Sequence, residues 1–205
     1  MSLDPALLRS MIAAAAQQMM DHAEELTELD QAIGDGDHGI NMKRGCGQVL
    51  ADLDSIVEKP TGEALKAVGM ALVMKVGGAS GPLYGSLFIG MGKALGDRQP
   101  TMAILPEVFA AGVEAVAARG KSTVGEKTML DVLTPVLDAV RAGGPNLGVR
   151  LREAAGRGAA ATIPMRATKG RASFLGERSV GHMDPGARSS EIIVEALAPF
   201  LDERP

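Results

Sequence analysis

Behind an Asp4-Pro5 pair, apolar residues recur at Leu8, Met11, Ile12, Ala15, Met19, Ala23 and Leu26, the spacing of one buried face of an α-helix. Aspartate caps free amides at a helix start, and proline fits the first turn, so the pair marks the beginning of a first helix over 4–29. The helical period returns over 38–54, 61–76, 80–95, 101–118, 127–141 and 146–162, divided by short breaks rich in Gly or Pro. Ser80 is expected as an N-cap with Pro82 in the first turn behind it, and Pro106 and Pro135 as helix starts or kinks. From Ile163 to Met183 the period disappears and the chain becomes basic and small. Asp184-Pro185 then repeats the opening device and starts a last helix through Leu201. The expectation is an all-α chain of about eight antiparallel helices, with one long loop near 164–183.

Composition agrees with helix packed on helix. A chain of 205 residues is expected to form one domain over 1–205. Its hydrophobic share is 46%, but only 2% is aromatic, with no Trp and 12 Met, so the core must be built from Ala, Leu, Val, Ile and Met. A net charge of −4 offers no general attraction to nucleic acid or to an anionic membrane, and neither is expected as a partner. The single cysteine, Cys46, excludes an intramolecular disulfide framework and a cysteine-built zinc site, and fits a reducing compartment. The polar N-terminus does not read as a signal peptide, and "VGMALVMKVGGA" is broken by Lys75 and glycines short of a membrane span. A soluble cytoplasmic protein is expected.

Three breaks between helices carry chemistry. In "IGDGDHGINMKRG", residues 33–45, glycines 34, 36 and 39 free the backbone so that Asp30, Asp35 and Asp37 can converge on one point. Carboxylates so close raise one another's pKa unless a cation joins them, and a hard divalent ion with oxygen ligands removes that penalty. A solvated turn with a capping aspartate is the alternative. An EF-hand is excluded, because counting from Asp35 puts Ile40 where glycine is required and Cys46 where glutamate is. Mg²⁺ takes few protein carboxylates and fills its shell with phosphate oxygens and water, so the metal implies a phosphate. His38 and Asn41 follow at a helix start, where free amides favour an anion.

The second break is "GGASGPLYG", where Gly77, Gly78 and Gly81 let the main chain approach a phosphate and Ser80 adds a hydroxyl, or where two helices simply turn. It is not a Walker loop; the nearest string, "AVAARGKS", has Ala115 in place of the first glycine and no strand before it. Gly120-Lys121-Ser122 thus reads as an ordinary loop, and "GEKTMLDVLTP" as a helix start. The third break, "ATKGRASFLGERSVGHMDPGA", gathers Lys169, Arg171, Arg178 and His182 on an acidic chain, as a flap over an anion or as a solvated linker.

Together these stretches resemble the nucleotide-binding L subunit of the bacterial dihydroxyacetone kinases and the matching domain of the single-chain kinases. "IGDGDHGINMKRG", "GGASGPLYGSLF", "GEKTMLDVLTP" and "KGRASFLGERSVGHMDPGA" match in order across nearly the whole chain. The resemblance implies an antiparallel barrel of eight helices with ADP or ATP at one mouth. It implies two Mg²⁺ ions on Asp30, Asp35 and Asp37. His38, Gly39, Ile40 and Asn41, with Gly78, Ala79 and Ser80, would meet the phosphates and the surroundings of the second ion. Gly120 and Met129 would edge the adenine, and Arg178 with Asp184, Pro185 and Gly186 would border the nucleotide, Arg178 serving catalysis by stabilising charge on the γ-phosphoryl group. The implied reaction phosphorylates a short ketose held on a partner K subunit; the length leaves no room for that second domain, so a free-standing subunit is expected. Either ATP is the donor, or bound ADP is recharged by a phosphohistidine phosphotransfer protein. A regulatory nucleotide-holding module, a different acceptor such as a tetrulose or a carried fatty acyl group, and a homodimer all stay open.

Overall fold

The computed structural model describes residues 4–202. The first helical stretch is α1 (Pro5–Asp21) and α2 (Ala23–Ile33), followed by α3 (His38–Ala51), the short α4 (Leu53–Val57), α5 (Thr61–Lys75), α6 (Ser80–Leu95) and α7 (Leu105–Gly120). Then come α8 (Leu130–Ala142), α9 (Leu147–Ala161), a 3₁₀ helix (Arg171–Ser179), α10 (Pro185–Leu197) and the short α11 (Pro199–Asp202). Asp4 caps α1 by accepting from the Leu7 amide at 2.8 Å, and Asp184 caps α10 by accepting from Ala187 at 2.7 Å. Both Asp-Pro devices therefore act as the sequence implies.

The helix expected over 4–29 is broken at His22, whose Nδ1 lies 2.9 Å from the Gln18 carbonyl oxygen, and it continues to Ile33. Asp30 thus belongs to the last turn of a helix and not to the loop. Two further expectations are corrected. Ala79, not Ser80, occupies the N-cap of α6. The 164–183 loop is not all irregular, because nine of its residues form the 3₁₀ helix, kinked where Gly176 takes φ 57°. Pro106 lies in the first turn of α7, and Pro135 lies inside α8.

Counting α1–α2 as one interrupted helix, the described residues hold eight long helices, and they close a ring. In chain order each packs on the next, α1 on α3, α3 on α5, α5 on α6, and so on to α9 on α10, and α10 returns to α1. An up-and-down ring of this kind sends alternate connections to alternate ends. Residues 34–37, 76–79, 121–129 and 162–184 all fall at one mouth. Motifs separated by more than a hundred residues therefore meet for topological reasons. The barrel interior is apolar and includes a cavity of about 220 Å³ lined by residues such as Leu8, Met11, Val68 and Ile193.

Small residues set the tightest wall. Gly62 and Gly69 of α5 face Gly92 and Gly85 of α6 in antiparallel register, and a Cβ at Gly69 would stand 2.8 Å from the Gly85 carbonyl oxygen. The neighbour there is backbone, which cannot yield as a side chain can. Gly69→Ala is expected to lower stability by about 1–3 kcal/mol through overpacking. Urea unfolding checks this: the midpoint falls at unchanged m, and an unchanged midpoint contradicts the close packing.

Candidate functional site

At the mouth of the barrel the four connections surround a cleft of about 410 Å³. The first contributes Asp30, Asp35, Asp37 and His38; the second contributes Gly78, Ala79 and Ser80; the third Gly120 and Met129; the fourth Asp184, Pro185 and Gly186. The remaining sequence-derived positions lie off it. Gly39 packs against α2, where a Cβ would stand 2.8 Å from the Thr27 amide, and Ile40 is 60% exposed. Asn41 is buried, accepts from Arg44 Nη2 at 2.8 Å and rests against Gly77. Arg178 is exposed at the far end of the 3₁₀ helix, outside the cleft lining.

The acidic loop is folded around Asp30. Its Oδ2 accepts from the amides of Asp37 at 2.8 Å and His38 at 3.1 Å, fixing the start of α3. Gly36, at φ 73°, makes the turn between the two outer aspartates. One oxygen from each of Asp30, Asp35 and Asp37 lies within 4.8 Å of the others, Asp30 buried and the other two open to solvent. The positive partner present is Arg171, whose Nε lies 2.9 Å from Asp35 Oδ2 across the cleft. Three converging hard oxygens with a guanidinium standing on one of them fit a divalent cation well.

Beside the carboxylates, α6 begins without a side-chain cap. Its first amides, reached over Gly78 at φ 63°, face the cleft as a natural anion seat. The Ser80 hydroxyl is turned to His38 Nδ1 at 2.8 Å instead. The ring's Nε2 lies 2.9 Å from Ser189 Oγ, and burial holds the imidazole below its ordinary pKa against the pull of Asp30 and Asp37.

Two residues of the far wall carry no obvious sequence signal. Lys127, at φ 62°, is buried, and its Nζ donates to the carbonyls of Thr162, at 2.6 Å, and His182. It thereby pins both ends of the long connection, while Asp131 accepts from the Thr128 amide at 2.7 Å and shapes the turn. Burial lowers the Lys127 pKa, and the charges of Asp184 and Asp131 oppose that. Tyr84, the one tyrosine in the chain, is buried with its hydroxyl 2.7 Å from Ser189 Oγ. A lone phenol in an Ala- and Met-rich interior needs partners, and that was the available clue.

The fold and site define a class: an up-and-down α-helical barrel with a carboxylate cluster and an uncapped helix start facing one cleft. The DAK2 domain model matches residues 32–199, and the chain belongs to that family. It is 43% identical over 205 residues to the Escherichia coli "PEP-dependent dihydroxyacetone kinase, ADP-binding subunit DhaL", covering 97% of this chain and 98% of that protein. It is 45% identical over 181 residues to the corresponding subunit of kinase 1 from Listeria innocua, covering 88% and 89%. The "PTS-dependent dihydroxyacetone kinase, ADP-binding subunit DhaL" of Lactococcus lactis is 43% identical over 184 residues, covering 88% and 90%. The solved dihydroxyacetone kinase of C. freundii superposes with a TM-score of 0.79 at 24% identity, over 95% of this chain and 34% of that one, so the barrel is shared.

Asp184 supplies a pH test of this geometry. Burial pushes its carboxyl up to about 7, against the pull of the Ala187 amide and Lys127. Because the folded value lies above the ordinary 3.8, the folded chain keeps this proton where the unfolded chain has lost it. This group's contribution is therefore fully present below about pH 4 and lost as pH rises through about 7. Asp184→Asn keeps a capping oxygen and removes the titration. Thermal unfolding should show the variant gaining on the wild type as pH climbs from 4 to 7; parallel profiles contradict it.

Proposed function

We propose that this chain is the ADP/ATP-binding subunit of a dihydroxyacetone (short ketose) kinase, acting with a ketose-binding K subunit. The observation that carries the reading is the convergence of Asp30, Asp35 and Asp37 beside the uncapped start of α6 in one cleft. Cations on the carboxylates and amides toward the phosphates are the two halves of a metal–nucleotide seat. The relatives named ADP-binding subunits support it over nearly full length, and the C. freundii kinase was also solved with AMP-PNP and Mg²⁺.

Phosphoryl transfer is mostly positioning and neutralisation of charge on the transferring oxygens, and two Mg²⁺ ions would supply that neutralisation when bound. Asp30, Asp35 and Asp37 would hold them. The α6 amides orient the phosphates, Met129 and Gly120 flank the base, and the Asp184-Pro185-Gly186 turn closes the side. Arg171 already reaches the cleft, whereas Arg178 would need the 3₁₀ helix to rearrange before it could touch a phosphate. The names of the relatives favour ADP as a resident cofactor recharged by a phosphohistidine phosphotransfer protein. A cytoplasmic location suits the buried free Cys46. Among the described residues no helix is long and apolar enough to cross a membrane. A tetrulose acceptor is the second reading, since an erythrulose kinase of Mycolicibacterium smegmatis is 34% identical over 90% of this chain, which spans 33% of that enzyme.

The direct test supplies the chain with a K subunit, dihydroxyacetone and either ATP or the phosphotransfer protein. Ketose phosphate should form with at least one donor and vanish in Asp35→Asn or Asp37→Asn; product formation by both variants would move the site elsewhere. Arg171 gives an opposite sign. Its pair with Asp35 competes with a cation, so Arg171→Ala should tighten Mn²⁺ binding to the nucleotide-free chain by about two- to fivefold, the scale of an exposed ion pair. Weaker Mn²⁺ binding in that variant would contradict the competition.

A further inference from the structure

From the cleft wall inward five side chains stand in one hydrogen-bonded file joining the starts of α3, α6 and α10, with Ser80, His38 and Tyr84 lining the cleft. Ser80 Oγ lies 2.8 Å from His38 Nδ1, and Ser189 Oγ lies 2.9 Å from His38 Nε2. Ser189 Oγ is 2.7 Å from the Tyr84 hydroxyl, which is 3.0 Å from Ser190 Oγ. Ser190 then donates to the Gly186 carbonyl at 2.8 Å. His38 is 6% exposed and has no carboxylate on either ring nitrogen.

A neutral imidazole carries one N–H and each hydroxyl one O–H, so the file holds five hydrogens for its five contacts of 3.0 Å or less, and the longer approaches of Ser189 and Tyr84 to the Gly186 carbonyl, at 3.1 and 3.4 Å, come in addition. Its far end fixes the direction, because a carbonyl only accepts. Ser190 commits its hydrogen to Gly186 and accepts from Tyr84. Tyr84 in turn accepts from Ser189, and Ser189 accepts from His38 Nε2–H. That leaves Nδ1 bare, and it accepts from Ser80. The opposite order leaves the Tyr84–Ser190 contact without a hydrogen, a costly arrangement among buried groups. The Gly186 carbonyl, 3.1 Å from Ser189 Oγ, is a second acceptor on the side away from His38, so with either acceptor the Ser189 hydrogen points off the imidazole.

We infer that Ser189 is a positioning residue for the phosphoryl-transfer site: through His38 it draws the Ser80 proton off the cleft side, so Ser80 Oγ presents lone pairs to the cation side of the metal–nucleotide. The inference rests on the proposed seat. It divides labour within α6: backbone amides serve the phosphates, and the hydroxyl oxygen serves the cation. Gly78, two residues before Ser80, already stands beside Asp37, where a Cβ would be 3.9 Å from its Oδ1.

Long-range ¹H–¹⁵N spectra of the free chain read the His38 tautomer directly. The wild type should show Nε2–H with a bare Nδ1. Ser189→Ala removes the acceptor of that N–H, so the ring should turn to the Nδ1–H tautomer. The Mg²⁺ concentration for half-maximal ADP binding should then rise roughly tenfold, as for other groups that orient a metal ligand. Tyr84→Phe leaves Ser189 its contact with Gly186 and should preserve the tautomer. A wild-type His38 carrying Nδ1–H, or both hydrogens, overturns the inference. So does a Ser189→Ala variant with either readout unchanged. If that variant does not fold, the wild-type spectrum alone decides. A wild type that binds no ADP in Mg²⁺ defeats the proposed seat, while the tautomer, read without ligand, still decides the relay.

Discussion

Asp30 divides its carboxylate between architecture and chemistry, and the rest of the mouth depends on that division. Oδ2 takes the amides of Asp37 and His38 and so fixes where α3 begins. Oδ1 takes no part in those bonds and lies against Gly34, where a side chain would collide with it. A helix end, a helix start and one corner of the carboxylate cluster are thereby tied to one residue. With α3 fixed, His38 meets Ser80 of α6 and Ser189 of α10, and three of the four helices that start at this mouth are held together.

The barrel explains why a chain with so little aromatic content makes a stable frame. Glycines facing glycines bring α5 and α6 close, and Ala, Val and Leu fill the interior behind them. Because the ring runs up and down, every second connection returns to the same mouth. Loops with unrelated compositions can each contribute one part: carboxylates, an uncapped amide cluster, the Gly120 and Met129 wall and a basic flap.

Much of this was legible in the residues. The Asp-Pro helix starts, the helical spans and the convergence of Asp30, Asp35 and Asp37 follow from local rules of capping, period and charge. What escaped is non-local. Nothing near Lys127 announces that its ammonium will pin Thr162 and His182, since both carbonyls belong to another connection. Arg171 and Arg178 look alike in an aperiodic basic stretch, and only the 3₁₀ turn and the kink at Gly176 aim one inward and leave the other outside. Ser80 read as a cap because caps are local, but its actual partner is 42 residues away. The break at His22 was hidden because the apolar period runs through it undisturbed.

The central claim is that the cleft seats a nucleotide through metal held by the acidic loop. Calorimetric titration of the purified chain with ADP, first in excess Mg²⁺ and then with the metal removed by a chelator, tests it most directly. The account predicts saturable binding of ADP in Mg²⁺ and its collapse without metal. Equal affinity in both conditions, or no binding in either, would contradict it.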